Sequence, residues 1–190
     1  MGSDLRAISL LFTGHMIDLP NRPEPRFPAS LVPAVRKEVG AAIERGLSKL
    51  RDRSVVLGFA SGARGGDILF HEECRAREID TVIVLPFEPD QFVGTSVEGV
   101  PGSDWQQRFW DLWNATSAEH RHVLGLPQTD DAFADCNIVL LDMARQHGLV
   151  HLIALWDGKG GDGPGGAADL VSRLRREDDS DIFAPGDLQS

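Results

Sequence analysis

The chain has 190 residues, of which 42% are hydrophobic and 25% charged, as in an ordinary globular protein of one domain. Its 19 lysines and arginines against 29 aspartates and glutamates give a net charge of −10. Proteins that bind duplex DNA or acidic membranes usually present a basic surface instead. We therefore expect no nucleic-acid partner. We also expect no membrane partner, because no apolar run approaches the ~20 residues of a membrane span.

The cysteine content and the first residues indicate the compartment. Cys74 and Cys136 are far apart in the sequence, and neither belongs to a paired-cysteine metal-binding motif. The first twenty residues contain acidic side chains and do not resemble a signal peptide. We therefore expect a cytoplasmic protein with reduced thiols, no bound metal and no cofactor.

The hydrophobic pattern alternates between short apolar runs and segments with apolar residues at helical spacing. The apolar runs predict strands over residues 5–12, 55–60, 81–85, 120–126 and 149–156. The helical spacing predicts helices over residues 29–51, 67–77, 105–116, 130–146 and 167–176. Strands separated by helices predict an α/β fold of three layers, with a mostly parallel sheet of about five or more strands.

Two segments have no predicted element. Residues 87–104 contain two prolines and three glycines, and a loop of this length in a compact domain is usually a lid, a binding loop or a disordered stretch. The acidic residues near the C-terminus predict a loosely held tail. The sequence thus predicts a single domain over residues 1–177 and an acidic tail over residues 178–190.

Three turns rich in glycine or small residues directly follow predicted strands, at residues 13–15, 61–67 and 157–166. The C-terminal ends of parallel strands share one edge of the sheet, so these turns should converge on one crevice, where open α/β sheets bind ligands. Glycine lets backbone N–H groups approach a phosphate closely, and a following helix N-terminus adds positive charge. The turns predict a site for a small anionic ligand. A P-loop is excluded, since no Gly-Lys-Ser/Thr step occurs.

The middle turn, Ser61-Gly62-Ala63-Arg64-Gly65-Gly66-Asp67, resembles the signature of the SMF/DprA–LOG (SLOG) superfamily. The turns at residues 13–15 and 164–166 are similar to the Gly-His and Pro-Gly-Gly loops of other members. The pattern is most similar to SLOG-type domains of bacterial signalling and conflict proteins. Over residues 5–176, this resemblance implies a Rossmann-like domain that binds a nucleotide or nucleotide-derived ligand, such as a signalling nucleotide.

The candidate ligand-binding residues lie in these turns or beside them. His15 would stack on a base or donate to a phosphate, and Arg26 and Arg64 would neutralise phosphate charge. Asp67 would either cap the helix that it begins or accept hydrogen bonds from ribose hydroxyls. The full set is Thr13, Gly14, His15, Arg26, Ser61, Gly62, Ala63, Arg64, Gly65, Gly66, Asp67, Asp157, Gly158, Gly161, Gly163, Gly165 and Gly166.

The sequence leaves open whether the protein is an enzyme. LOG phosphoribohydrolases follow Pro-Gly-Gly with x-Gly-Thr-x-x-Glu, and residues 167–172 lack both the Gly-Thr step and the glutamate. If the chain cleaves the N-glycosidic bond of a nucleoside monophosphate or an NAD-like substrate, the candidate acids are Asp67, Glu72, Asp162 and Asp169. A third alternative is a DprA-like partner in nucleic-acid processing, which the net charge disfavours. The resemblance also implies a homodimer, and signalling would require a separate effector protein.

Overall fold

The computed structural model describes residues 7–49, 55–160 and 164–188. In these ranges six strands form one sheet in the order β4-β3-β2-β1-β5-β6, and every neighbouring pair is parallel. The strands are β1 (Ala7–Gly14), β2 (Val55–Ala60), β3 (Thr81–Leu85), β4 (Arg121–Val123), β5 (Leu149–Leu155) and β6 (Asp179–Phe183).

Helices cover both faces of this sheet. They are α1 (Val32–Leu47), α2 (Gly66–Arg75), α3 (Pro89–Phe92), α4 (Trp105–Ala115), α5 (Ala132–His147) and α6 (Ala167–Ser172). In β1, Leu10 and Phe12 join the core under α1, α2 and α4, whereas Leu11 joins the core under α5 and α6. A central strand buried on both faces explains the continuous apolar run from which it was predicted. The predicted α/β fold is confirmed as a Rossmann-like, three-layer architecture.

The path of the chain through the sheet determines where a ligand can bind. The chain begins near the centre at β1, proceeds through β2 and β3 to β4, and then returns to β5 and β6 on the other side of β1. The direction of winding therefore changes between β1 and β5, which pair along their length up to Gly14 and Leu155. Open α/β sheets bind ligands outside the C-terminal ends of strands at such a switch point.

Two predictions about irregular segments are wrong. Within residues 87–104, α3 is followed directly by a π-helical turn over Val93–Val97. Pro89 occupies the first position of α3, where a missing N–H costs nothing. The acidic tail was expected to be loosely held, but Asp179–Phe183 form the edge strand β6 beside β5. The charges of Asp179 and Asp181 are matched by Lys49 and Arg45 of the α1 region, which an analysis of the tail alone could not reveal.

Among the described ranges, every helix is too short or too polar to cross a membrane. The same ranges contain no group of three or more His, Cys, Asp or Glu side chains placed to hold a metal ion.

Candidate functional site

A cavity of about 460 Å³ lies at the C-terminal edge of the sheet, beside the switch point between β1 and β5. The loops after β1, β2 and β5 contribute to its walls, together with the α3 region and the first half of α5. Its lining residues are Phe12, Thr13, Gly14, His15, Met16, Arg26, Ser61, Ala63, Asp67, Phe92, Thr95, Ser96, Thr129, Asp130, Phe133, Cys136, Asn137, Leu140, Trp156, Pro164, Gly165, Gly166 and Ala167. The predicted convergence of the three turns on one crevice is thus observed.

Asp67 is the buried acid of this cavity. It lies in the first turn of α2 and is only 8% exposed. Its Oδ2 accepts a hydrogen bond from the backbone N–H of Ala63 (3.1 Å), in the preceding loop, so the carboxylate holds the loop rather than capping the helix. Burial raises the pKa of Asp67 to about 7, opposed only by that hydrogen bond. No cation in the described part of the chain forms an ion pair with it.

Ser61 contributes a second polar group to the same cavity. Its Oγ is buried and finds no hydrogen-bond partner in the described ranges. Its carbonyl oxygen is fixed by His71, whose Nε2 lies 2.7 Å away, while the other ring nitrogen of His71 lies 2.8 Å from the hydroxyl of Thr81. Burial lowers the pKa of His71 to about 4, so this histidine is neutral and acts as a positioning residue. The backbone of Ser61, a residue that lines the cavity, is therefore held in place.

His15, Arg26 and Asp157 connect the loops on the opposite side of the cavity. Nε2 of His15 lies 3.3 Å from both the backbone nitrogen and the carboxylate Oδ1 of Asp157. Arg26 donates to the carbonyl of Gly160 (2.8 Å), and its Nε lies 3.7 Å from the Asp157 carboxylate. Burial lowers the pKa of His15, although the Asp157 carboxylate opposes that effect. This side of the cavity therefore presents a neutral imidazole and a guanidinium.

Two glycines in the turns are required by packing within the chain. Gly65 has φ +94°, and a Cβ there would lie 2.7 Å from the backbone nitrogen of Ile17. Gly165 has φ +83°, and its Cβ would lie 2.4 Å from the nitrogen of Ala134 at the start of α5. Glycine is favoured at both positions by its left-handed backbone and by the close contact. We predicted such glycines from phosphate binding, but here the chain's own backbone requires them.

The structure brings many of the predicted ligand-binding residues to the cavity. Those that line it are Thr13, Gly14, His15, Arg26, Ser61, Ala63, Asp67, Gly165 and Gly166. Other predicted residues lie in the same loops without lining it, namely Gly62, Arg64, Gly65, Gly66, Asp157 and Gly158. Predictions for Gly161, Asp162 and Gly163 fall outside the described residues.

Two of the candidate catalytic acids lie away from the cavity. Glu72 forms ion pairs with Arg36 and with Arg108, the latter at 2.7 Å. Asp169 is paired with Arg173 (2.8 Å) and lies near the side-chain amide of Asn137 (3.3 Å). Neither acid lines the cavity. Of the four candidate acids, Asp67 is the only one among the described residues that lines the cavity.

Sequence reasoning missed the contributions of α3 and α5. Phe92 closes one wall from the segment that we expected to be a loop. Asn137 is 8% exposed and donates to the carbonyl of Gly165 (2.7 Å), so it fixes the last turn against α5. A signal for Asn137 was present, because an amide on the apolar stripe between Cys136 and Leu140 must find a polar partner.

The fold and the cavity define a Rossmann-like α/β protein with a crevice of ligand size at the switch point of its sheet. No family model matches the chain, and no curated protein or solved structure is significantly similar to it. The SLOG resemblance therefore stays a prediction.

Proposed function

We propose that this protein binds a nucleotide or a nucleotide-derived ligand in the cavity, with sugar hydroxyls donating to Asp67. The observation that carries the proposal is the buried carboxylate of Asp67, which has one hydrogen bond and no cationic partner among the described residues. It lines the same cavity as Ser61, whose hydroxyl also finds no partner in the described ranges. Burial of such groups costs free energy unless a partner satisfies them. A vicinal diol supplies two O–H donors, which suit a carboxylate that no cation neutralises.

The remaining walls suit the other parts of such a ligand. Phe133 offers partly exposed apolar surface for a base, and binding sites for small molecules commonly combine such walls with a few polar groups. The volume of about 460 Å³ lies within the ~300–1,000 Å³ typical of these sites. Arg26 lines the cavity beside Asp157 (3.7 Å), and the planar fork of its guanidinium suits an anionic substituent.

A thermal-shift and calorimetric screen tests the proposal. The panel holds adenosine, AMP, ADP-ribose, NAD and cyclic dinucleotides, together with 2′-deoxyadenosine and 2′,3′-dideoxyadenosine, which lack the diol. A ligand at ~100 times its Kd should stabilise the fold by about 2.7 kcal/mol. We expect ribose ligands to bind and their deoxy counterparts to bind at least tenfold more weakly.

Two substitutions assign that binding to the carboxylate. Asp67→Asn should weaken binding of the ribose ligand at least tenfold while leaving the weak binding of the deoxy ligand unchanged. Asp142→Asn is the matched control, since it removes the same charge from an exposed position of α5 that does not line the cavity. Equal binding of ribose and deoxy ligands, or full retention by the Asp67 variant, would exclude the proposed role of Asp67.

Hydrolysis of an N-glycosidic bond is the second candidate function, favoured by one observation. A carboxyl with a pKa of about 7 suits general acid–base catalysis at neutral pH. Chromatography of each ribose ligand after incubation with the protein separates the two functions, because only a hydrolase releases the free base. Turnover that Asp67→Asn retains in full would show that Asp67 is not the catalytic acid.

We also propose a homodimer that acts in the cytoplasm through a separate effector protein, as the resemblance implies. The exposed apolar side chains of Met16 and Leu19, in the loop beside the cavity, support a contact between copies. Sedimentation velocity at micromolar concentration checks this part of the proposal. A single monomeric species would contradict it without affecting the cavity.

A further inference from the structure

The wall that α5 contributes to the cavity contains an amide side chain, that of Asn137. The other residues of α5 that line the cavity are Phe133, Cys136 and Leu140, whose side chains bear no oxygen or nitrogen. Asn137 is only 8% exposed, so most of its surface is withdrawn from water. Both the oxygen and the nitrogen of this amide therefore need hydrogen-bond partners.

The nitrogen of the Asn137 amide is satisfied within the chain. Nδ2 donates to the carbonyl oxygen of Gly165 (2.7 Å) and to Oδ2 of Asp169 (3.3 Å). A carbonyl and a carboxylate can only accept, so these two partners fix which end of the amide is the nitrogen. Oδ1 therefore occupies the other branch of the planar group.

The oxygen of the amide has no such partner. No donor within residues 7–49, 55–160 or 164–188 forms a hydrogen bond with Oδ1 of Asn137. Water can fill that role in the free protein, but a base that occupies the cavity excludes the water and has to replace its hydrogen bond. The wall thus favours a base that presents a donor to Oδ1.

We propose that Oδ1 of Asn137 accepts a hydrogen bond from an exocyclic amino group of the base, and that the cavity therefore selects adenine- or cytosine-type bases. Phe133 and Asn137 are four residues apart on α5, so a base packed against Phe133 lies beside the amide. Adenine and cytosine carry a donor amine where hypoxanthine and uracil carry an acceptor oxygen. This selectivity rests on the proposed function, because it requires a nucleoside in the cavity.

Three nucleosides that differ at one position of the base test the selectivity on the unaltered full chain. Adenosine carries an amino group at C6 of the purine, purine riboside carries a hydrogen and inosine carries an oxygen. Isothermal titration calorimetry should give a Kd about tenfold higher, or more, for purine riboside than for adenosine. The Kd of inosine should be higher again, because its oxygen would meet the oxygen of Asn137. Equal Kd values for adenosine and either of the other two would overturn the proposal.

Two matched substitutions assign the selectivity to the amide. Asn137→Ala removes the acceptor and should bring the ratio of the Kd values of purine riboside and adenosine close to one. Asn114→Ala removes an amide from an exposed position of α4 that does not line the cavity, and should keep the ratio of the unaltered chain. Loss of the hydrogen bond to Gly165 acts on all the nucleosides alike, so the ratio reports on the base. An unchanged ratio in Asn137→Ala would overturn the assignment, and the nucleoside series decides the question even if that variant fails to fold.

The deoxy ligands separate a failure of the base selectivity from a failure of the ribose site. If the three nucleosides bind equally, and 2′,3′-dideoxyadenosine binds about tenfold more weakly, the base selectivity is overturned and the ribose proposal stands. If none of the ribosides binds, both proposals are overturned.

Discussion

Asp67 and Glu72 lie on the same helix, α2, but the surroundings of their carboxylates shift the two pKa values in opposite directions. Glu72 accepts two hydrogen bonds from Arg108, each 2.7 Å long, and is also paired with Arg36. Although burial alone would raise the pKa of Glu72, these two arginines hold it below its ordinary value. Among the residues that the structure describes, Asp67 has one backbone hydrogen bond and no cationic partner, and burial raises its pKa to about 7.

The difference separates a structural carboxylate from a candidate functional one. Glu72 joins α1, α2 and α4, because its partners lie on the two other helices. The charge of the Glu72 carboxylate is thus neutralised by Arg36 and Arg108. We expect Asp67 to lower the stability of the folded chain at neutral pH, since its charge is buried without a counter-charge among the described residues. Groups that a protein retains at such a cost cluster at sites of binding and catalysis.

The largest expected effect is on stability in Asp67→Asn. The folded state holds the proton of Asp67 more tightly than the unfolded state, so stability should fall as pH rises from about 4 to about 7. A pKa raised from 3.8 to about 7 corresponds to roughly 4 kcal/mol at most. We therefore expect the variant to be about 2–4 kcal/mol more stable at pH 8, because the amide removes the buried charge and its oxygen still accepts from Ala63.

Urea denaturation between pH 4 and pH 8 measures this effect. The native chain should lose stability across that range, and the variant should follow a flatter profile. Asp142→Asn provides the control, with a profile like that of the native chain. Parallel profiles for the native chain and Asp67→Asn would mean that Asp67 is not buried as an unpaired carboxyl.

Glu72→Gln should change stability in the opposite direction from Asp67→Asn, and by a smaller amount. Removing the charge between Arg36 and Arg108 leaves two guanidinium groups without their shared partner, so we expect a loss of about 2 kcal/mol at pH 7. The pKa of Glu72 is lower in the folded state than in the unfolded state. The native chain should therefore exceed the variant in free energy of unfolding by the full amount above pH 4.5, and this difference should shrink as pH falls through the folded-state pKa. Chemical denaturation at pH 7 and pH 3 checks both statements, and an equal loss at the two values would contradict the ion pairing.

Ligand binding should depend on the charge of Asp67. If sugar hydroxyls donate to the ionised carboxylate, the Kd of adenosine should fall about tenfold between pH 6 and pH 8, since the pKa is about 7. Calorimetry at these two values measures the change, which Asp67→Asn should abolish. A hydrolase that uses the protonated acid would instead lose activity above pH 7, so the pH profile also distinguishes the two candidate functions.

Most of the fold could be predicted because it depends on local hydrophobic pattern. Strands Val55–Ala60 and Thr81–Leu85 are confirmed with the bounds that the apolar runs predicted. The pattern gave no signal for β6, whose sequence Asp-Ser-Asp-Ile-Phe is polar at an exposed edge and pairs through its backbone with β5. Its acids are matched by cations that lie far away in the sequence.

The site was only partly predictable for the same reason. Turns that follow strands could be placed at one edge from parallel topology alone, and Ser61 and Asp67 were found in that way. Tertiary packing decides whether an acidic side chain on α2 points into the cavity or pairs with an arginine. The sequence named both Asp67 and Glu72 as candidate acids, and the positions of Arg36 and Arg108 separate them.

The smallest expected effect comes from Arg36→Gln. Its side chain is 39% exposed, against 17% for Arg108, so solvent screens its attraction to Glu72 more strongly. We expect a loss of no more than about 0.5 kcal/mol, measured by urea denaturation at pH 7. The effect should decline further at high salt, whereas the effect of Arg108→Gln should be larger and less sensitive to salt. Equal losses of stability in the two variants would mean that Arg36 and Arg108 stabilise the Glu72 carboxylate equally, whatever their exposure. Glu72 would then differ from Asp67 in the number of its cationic partners and not in how deeply those partners are buried.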